Sequence, residues 1–298
     1  MQLQFHMPTG QAAAIVVLLG IALTPLTADA GPWVKAPGET YIKTSGSYFA
    51  SDEVYDVDGN KTDPSYQYSH KALGIYGELG ILPRTALTFN TSFLAAQNKL
   101  NDRLRYKRSG PSDLDVGLQF EVLSSGCAAS GSFTVRVPLY EEGVNTDTTS
   151  GPLTTGSTAE NRYLPALGDG SVDLMPRAHV GCSLHPFPGW FTVMSGPRIR
   201  FGGFGEGLDY AASFGAFVWP DRLALTTRVG GTQRFSSDND SPTKSYVTVS
   251  GGTLVKIYRG LSFEAGASYI PVGAFVAEGW TVTAGLSFDG RVFDDPFE

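Results

Sequence analysis

The sequence predicts an all-β protein, an antiparallel up-and-down transmembrane β-barrel of about twelve strands. Three observations carry this: strand-period alternation along the mature chain, a deficit of charge, and connections that are short and long in turn. Leu223, Leu225, Thr227 and Val229 alternate with Ala224, Thr226, Arg228 and Gly230, and Val247, Val249, Thr253, Val255 and Ile257 with Thr248, Ser250, Leu254 and Lys256. Successive strand side chains point to opposite faces, so each segment has one apolar and one polar face. With no helix-period segment to cover the apolar faces, lipid is their simplest solvent. Charged residues make up 17% of the chain, below the roughly 25% of ordinary soluble domains.

Residues 1–30 read as a secretory signal peptide. An apolar run from Ala12 to Leu23 is followed by Thr24-Pro25 and by Ala28-Asp29-Ala30 before Gly31, an A-x-A cleavage pattern. Its n-region departs from the pattern in having no Lys or Arg. The run is too short to cross a bilayer as a helix, and no later segment approaches 18 apolar residues, so membrane residence must come from strands. Residues 31–298 then form one outer-membrane β-barrel domain. The formal charge is −7 for the whole chain. Removing Asp29 with the signal leaves −6, which argues against nucleic acid as a partner.

Period and turn signals place strands near 40–49, 67–81, 85–95, 113–123, 132–140 and 171–183. The second half continues near 190–201, 208–219, 223–235, 245–258, 261–269 and 279–288. Leu82 to Arg84, Ser124 to Gly131, Leu184 to Gly189, Pro220 to Arg222 and Arg259-Gly260 are brief connections. Ser51 to Tyr66, Ala96 to Ser112, Glu141 to Gly170, Gly202 to Gly207, Ser236 to Lys244 and Ile270 to Glu278 form the longer, more polar set. Short periplasmic turns, long extracellular loops and an even strand number are the signature of a Gram-negative outer-membrane barrel. Both termini are then periplasmic. A soluble sandwich also has short alternating strands, but aromatics gather at strand ends as two interfacial girdles would: Trp190 and Trp219 beside short turns, Tyr140, Tyr210, Phe235, Tyr246 and Trp280 beside long ones. The last strand, with Trp280, Val282, Ala284, Leu286 and Phe288 on one face, resembles the C-terminal strand signal of outer-membrane proteins, apart from the tail 289–298.

Trp33, Gly38-Glu39-Thr40-Tyr41-Ile42-Lys43, Tyr48 to Glu53, and Tyr76-Gly77-Glu78-Leu79-Gly80-Ile81 before Pro83-Arg84 resemble segments of proteobacterial barrels named after the MetA pathway of phenol degradation. The resemblance implies a transporter or channel for small, often hydrophobic compounds. It brings no catalytic or binding residue with it.

Parity puts Arg136, Arg177, Arg198, Arg200, Arg228, Arg234 and Lys256 on the inner face, with Asp115, Glu121, Asp173, Glu264 and Glu78 among them. Unpaired guanidinium groups inside a barrel are costly, so either the acids pair with them or water fills the space. One reading is a narrow polar pore with a cationic wall. The other is an interior closed by ion pairs, and twelve strands lie between the filled eight-strand and the open sixteen-strand barrel. The loop from Glu141 to Gly170, rich in Thr and Ser, has no apolar period before Tyr163-Leu164; it could fold inward as a constriction or stay mobile outside, and its composition favours the mobile reading.

The mature chain has His70, His179 and His185, none in a nucleophile-elbow or metal-ligand spacing. Barrel phospholipases need a His with a Ser on an adjacent, lipid-facing strand, whereas parity places His179 inward with Asp173 and Arg177. The expectation is therefore no enzyme, no catalytic residue and no metal or cofactor. Asp56-Val57-Asp58-Gly59-Asn60 opens like a calcium loop but has Lys61 where Gly is required and Gln67 where the bidentate Glu belongs, so it reads as a solvated acidic loop. Cys127 and Cys182 fall near one barrel end, where an exported chain could form a disulfide. Two unpaired small hydrophobes are the alternative.

The expected protein is a monomeric or weakly oligomeric outer-membrane channel or porin for passive uptake of small molecules. Outer-membrane lipid, lipopolysaccharide and the barrel-assembly machinery would be its partners, with the cargo open. A structural or surface-interaction barrel with a closed lumen is the first alternative, and a lipid-modifying barrel enzyme the second.

Overall fold

The computed structural model describes residues 31–64, 66–100, 105–140, 154–155, 164–202, 205–235 and 244–293. Residues 1–30, where the signal peptide is expected, lie outside the described residues, as do most of the Thr-rich loop after Tyr140 and the last five residues. Twelve long antiparallel strands form the wall. They are β1 (Glu39–Tyr55), β2 (Gln67–Leu82), β3 (Thr85–Lys99), β4 (Arg105–Ser125), β5 (Cys127–Pro138) and β6 (Asp173–Ser183), then β7 (Gly189–Arg200), β8 (Gly207–Trp219), β9 (Leu223–Arg234), β10 (Ser245–Tyr258), β11 (Leu261–Ala274) and β12 (Val276–Arg291). Each pairs with its neighbours in sequence, and β12 pairs with β1 from Glu39↔Arg291 to Tyr55↔Val276. The last strand thus closes on the first, and the wall has no free edge whose N–H and C=O groups would face hydrocarbon.

The alternation read from sequence becomes two chemically different surfaces. Outward residues form an exposed apolar belt: Leu73 is 59% exposed, Phe93 53% and Val282 57%. Inward neighbours such as Thr88, Gln119, Ser250 and Ser287 are buried and polar. Water on both sides would leave the belt unexplained, since a soluble monomer rarely exposes contiguous apolar patches beyond a few hundred Å2. No helix among the described residues is long and apolar enough to cross a membrane.

Two of the expected long loops are largely strand. The ladder between β3 and β4 continues through Ala96↔Arg108 to Lys99↔Arg105, and the strands β11 and β12 are separated only by Phe275, with φ 55°, their upper parts pairing with β10 and β1. Beyond the lipid the outer face no longer needs to be apolar, so the hydropathy period stops while backbone hydrogen bonding continues. The short turns do lie at one end with both termini. There Gly126, at φ 62°, turns β4 into β5 in a single residue, a conformation with little steric cost only for glycine.

Three aromatics expected in the girdles point elsewhere. Trp190 turns inward against Phe217, at 5.7 Å between ring centroids. Tyr140 donates to Asp113 from the inner side, and Tyr246 lines the interior cavity. Trp219 and Trp280 do face outward, 62% and 57% exposed, and Trp280 stacks on Tyr269. An aromatic at a strand end satisfies either face, and parity counted across a turn or bulge is lost.

Cys127 and Cys182 face each other across the β5–β6 ladder and form a disulfide. On a non-reducing gel of unfolded protein, the wild type should migrate faster than its reduced form, because the bond closes a loop between positions 55 apart in sequence. Cys182→Ser should remove the difference. Identical mobility of oxidised and reduced wild type would count against the bond.

Candidate functional site in the barrel lumen

Two segments that belong to no wall strand enter the barrel, one from each mouth. From the short-turn end comes residues 31–38. Gln119 Nε2 donates to Gly31 O at 2.6 Å, and Pro32 is fully buried over Gly181 of β6. The strap then crosses to β2, where it passes so close to Gly80 that a Cβ there would sit 1.9 Å from Ala36 O. Lys35 Nζ anchors it to Asp289 at 2.8 Å.

From the opposite mouth, the C-terminal part of the long loop after β5 folds inward, as the constriction alternative had it and against the mobile reading that composition favoured. Pro165 is fully buried, Leu167 is buried beside Gly110, and Gly170 has φ 71°. That bend aims Asp169 into the lumen. Its carboxylate meets Lys244 at 2.6 Å, Arg198 at 2.7 Å, Arg136 at 3.7 Å and Arg200 at 4.0 Å. Burial alone would raise the Asp169 carboxyl, but Lys244, Arg198, Arg136 and Arg200 hold it well below the ordinary carboxylate range.

Between these segments lies a polar cavity of about 340 Å3. Its wall carries Arg136, Arg177, Arg198 and Arg228 against Asp115 and Asp209, with Asn90, Thr232, Thr248 and Ser250 as neutral donors and acceptors. Arg136 grips Asp115 with two bonds of 2.6 and 2.8 Å. Arg177 reaches Asp209 at 2.5 Å, and Thr232 donates to the other oxygen of Asp209. Arg198 donates to Asp173 at 2.7 Å, and Asp173 also accepts from Ser171. Arg200 bonds Ser171 at 2.7 Å and approaches Asp173 at 3.4 Å.

The remaining inward residues lie away from this cavity. Glu264 is buried against Lys43 at 2.5 Å and accepts from Tyr41. Glu121 sits beside Arg84 at a short turn, 3.7 Å away. Lys256 is displaced by the register shift next to it and lies over the Phe217 ring near the same mouth. Arg234 is at the far mouth, where Nη2 donates to Val57 O and ties β9 to the first loop. In that loop Asp56 Oδ1 accepts from the backbone N–H of Asp58 and Asn60. These bonds, with Asn60 first, hold its carboxyl below the usual value.

Asp169, Lys244 and Asp209 were not among the residues singled out from sequence. Asp209 alternates with Leu208 and Tyr210, so parity carried its signal. Asp169 and Lys244 lie outside regular alternation, and nothing local marks them.

A further pair was also missed. Ser132 Oγ lies 2.9 Å from His179 Nε2, both buried on neighbouring strands. The expectation that the chain is not an enzyme is therefore withdrawn: it rested on motif spacing and on His179 facing inward, and inside the lumen a serine hydroxyl stands beside that ring. Among solved structures the chain is similar to OmpT of Vibrio cholerae, at 11% identity and a TM-score of 0.39 over 86% of this chain and 99% of that one.

No protein-family profile matches the chain, and no curated protein matches it in sequence. Among solved structures, it is similar to the toluene transporter TodX of Pseudomonas putida, at 8% identity, a TM-score of 0.43, and coverage of 86% of this chain and 90% of that one. It is also similar to the COG4313 outer membrane channel from Pseudomonas putida F1, at 12% identity and a TM-score of 0.60 over 88% of this chain and 99% of that one. The likeness at that TM-score is one of fold, and it places this chain among closed outer-membrane β-barrels in architecture.

Proposed function

We propose that the protein resides in the bacterial outer membrane, after loss of residues 1–30, and passes small polar solutes through its lumen, with anions favoured. The observation that carries this is the polar cavity in the lumen, lined by four arginines against two aspartates. A barrel built only for stability could fill its interior with side chains and needs no internal space. The polar lining gives a hydrophobic cargo little apolar contact, so the reading departs from the hydrophobic compounds that the family resemblance suggests. Passage would be passive diffusion in the field of the wall, which concentrates counter-ions locally. The barrel-assembly machinery and outer-membrane lipid would be its partners in this setting.

Planar-bilayer recordings in a salt gradient test the reading. Wild-type protein should show small, anion-selective conductance, and Arg228→Glu should move the reversal potential towards cations. The ion-paired interior favours a second reading, a structural barrel with a closed lumen. If wild type, a strap deletion and an Asp169 variant were all silent, that second reading would replace the first.

A further inference from the structure

We infer that the outer wall of β2, β3 and β4 carries a docking site for the phosphates of an outer-leaflet lipopolysaccharide. The inference rests on the outer-membrane reading proposed above and adds a site to it. Outward positions at the long-loop end of these strands hold Lys71, Lys99, Arg105 and Lys107. None of the other nine wall strands carries an outward Lys or Arg at that end among the described residues. There the outer face reads Ile199 on β7, Leu208 on β8, Gln233 on β9, Val272 on β11 and Trp280 on β12. Outer-face positive charge at this level is thus confined to one side of the barrel among the described residues.

The ladder assembles these cations into one patch. Tyr48, Lys71, Ala95 and Ser109 form one outward row across β1 to β4, and Ala50, Ser69, Gln97 and Lys107 the next. Gln67, Lys99 and Arg105 form the row above. With strands about 4.8 Å apart and same-face residues about 7 Å apart, Lys107 stands roughly 12 Å from Lys71 and roughly 7 Å from Arg105. Arg108 belongs to the other face, where it lies over the Tyr140 ring. Lys71, Arg105 and Lys107 are exposed, and none forms an ion pair with a described residue.

Two features choose a lipid over a soluble anion. Directly below the cations the same strands present Leu73, Ile75 and Phe93, which are 59%, 43% and 53% exposed, so a ligand there meets charge above and grease beneath. A groove of about 550 Å3 opens between the rows, bordered by Tyr48, Ser69, Lys71, Gln97, Lys107 and Ser109. An amphiphile whose anionic head sits at the membrane surface and whose chains descend along the wall matches this order of chemistry. Long cationic side chains can lie along apolar surface while holding their charge at the headgroups.

The test uses full-length barrel purified from its native membrane, with Lys71→Gln, Arg105→Gln and Lys107→Gln combined. Binding to lipopolysaccharide is read by native mass spectrometry and by the shift in thermal midpoint on titration, beside lipopolysaccharide stripped of its lipid phosphates and inorganic pyrophosphate as competitor. The wild type should prefer the phosphorylated lipid, and the triple variant should lose at least about tenfold in affinity. Lys256→Gln with Arg259→Gln, at the opposite end, should bind as wild type. Equal binding by wild type and triple variant, equal binding of the stripped lipid, or full displacement by millimolar pyrophosphate would each overturn the site. A wild-type protein that did not fractionate with the outer membrane would instead remove the underlying reading. Unchanged gel mobility of the folded triple variant separates lost binding from lost fold.

Discussion

Asp169→Asn should raise single-channel conductance several-fold and destabilise the docked segment by about 3–5 kcal/mol, the scale of breaking a buried ion pair from one side. Asp169 is the one carboxylate that the inserted segment offers to Lys244, Arg198, Arg136 and Arg200 together. Asparagine preserves size and can still accept a hydrogen bond, but it leaves these cations facing one another. Arg198 retains Asp173 and Arg136 retains Asp115, so the wall should stand while the segment around Pro165 and Leu167 leaves the lumen. The sign of the pH dependence follows from the lowered Asp169 carboxyl. A carboxylate that is harder to protonate when docked than when free contributes stability that is present above the ordinary carboxylate pKa, near 4. It is lost only as pH falls through the lower docked value. Wild-type conductance should therefore be flat from pH 8 to about 4 and approach that of Asp169→Asn only in stronger acid. A variant with unchanged conductance and unchanged proteolysis after Tyr140 would mean that this segment is no closure.

The fold was legible because hydrocarbon imposes a rule on every second residue. A charge at Val249 would face lipid and a charge at Ser250 would not, so composition records the side of the wall wherever lipid touches it. Above the belt that rule lapses. The outer face at Gln97, Lys99 and Lys107 is polar, and the inner face at Ala96 and Asn98 is buried, so the alternation inverts or disappears while the ladder runs on. This is why β3 and β4 are longer than their hydropathy period. The interior was less legible for a different reason. Parity states which wall residues face inward, but it cannot state what enters the lumen from a connection. Asp169 sits between Gly168 and Gly170 in a segment without period, and Pro32 in a strap before the first strand. Their places depend on contacts with Arg198 and Gln119 that are distant in sequence. The patch formed by Lys71, Arg105 and Lys107 shares that difficulty, since only the register of three strands brings it together.

Val249→Arg should cost roughly 2–4 kcal/mol of barrel stability, because a guanidinium near the middle of a lipid-facing strand has no aqueous partner within easy reach. Val249 is 42% exposed on the outer face, and its neighbour Ser250 borders the interior cavity. The adjacent change, Ser250→Arg, adds the same volume and charge to a polar space already shared with Asp115 and Asp209, and it should cost less. It should also narrow the cavity, so conductance falls while the unfolding midpoint in urea moves little. The two substitutions differ by one position along one strand, which leaves backbone propensity, expression and distance from the turns nearly matched. Urea titration of both variants in the same lipid vesicles is the measurement. If Ser250→Arg proved the more destabilising, the inner face would be the tightly packed one and the outer face tolerant of charge. Hydrocarbon would then not be the solvent of the apolar belt, and the membrane reading would fail with it.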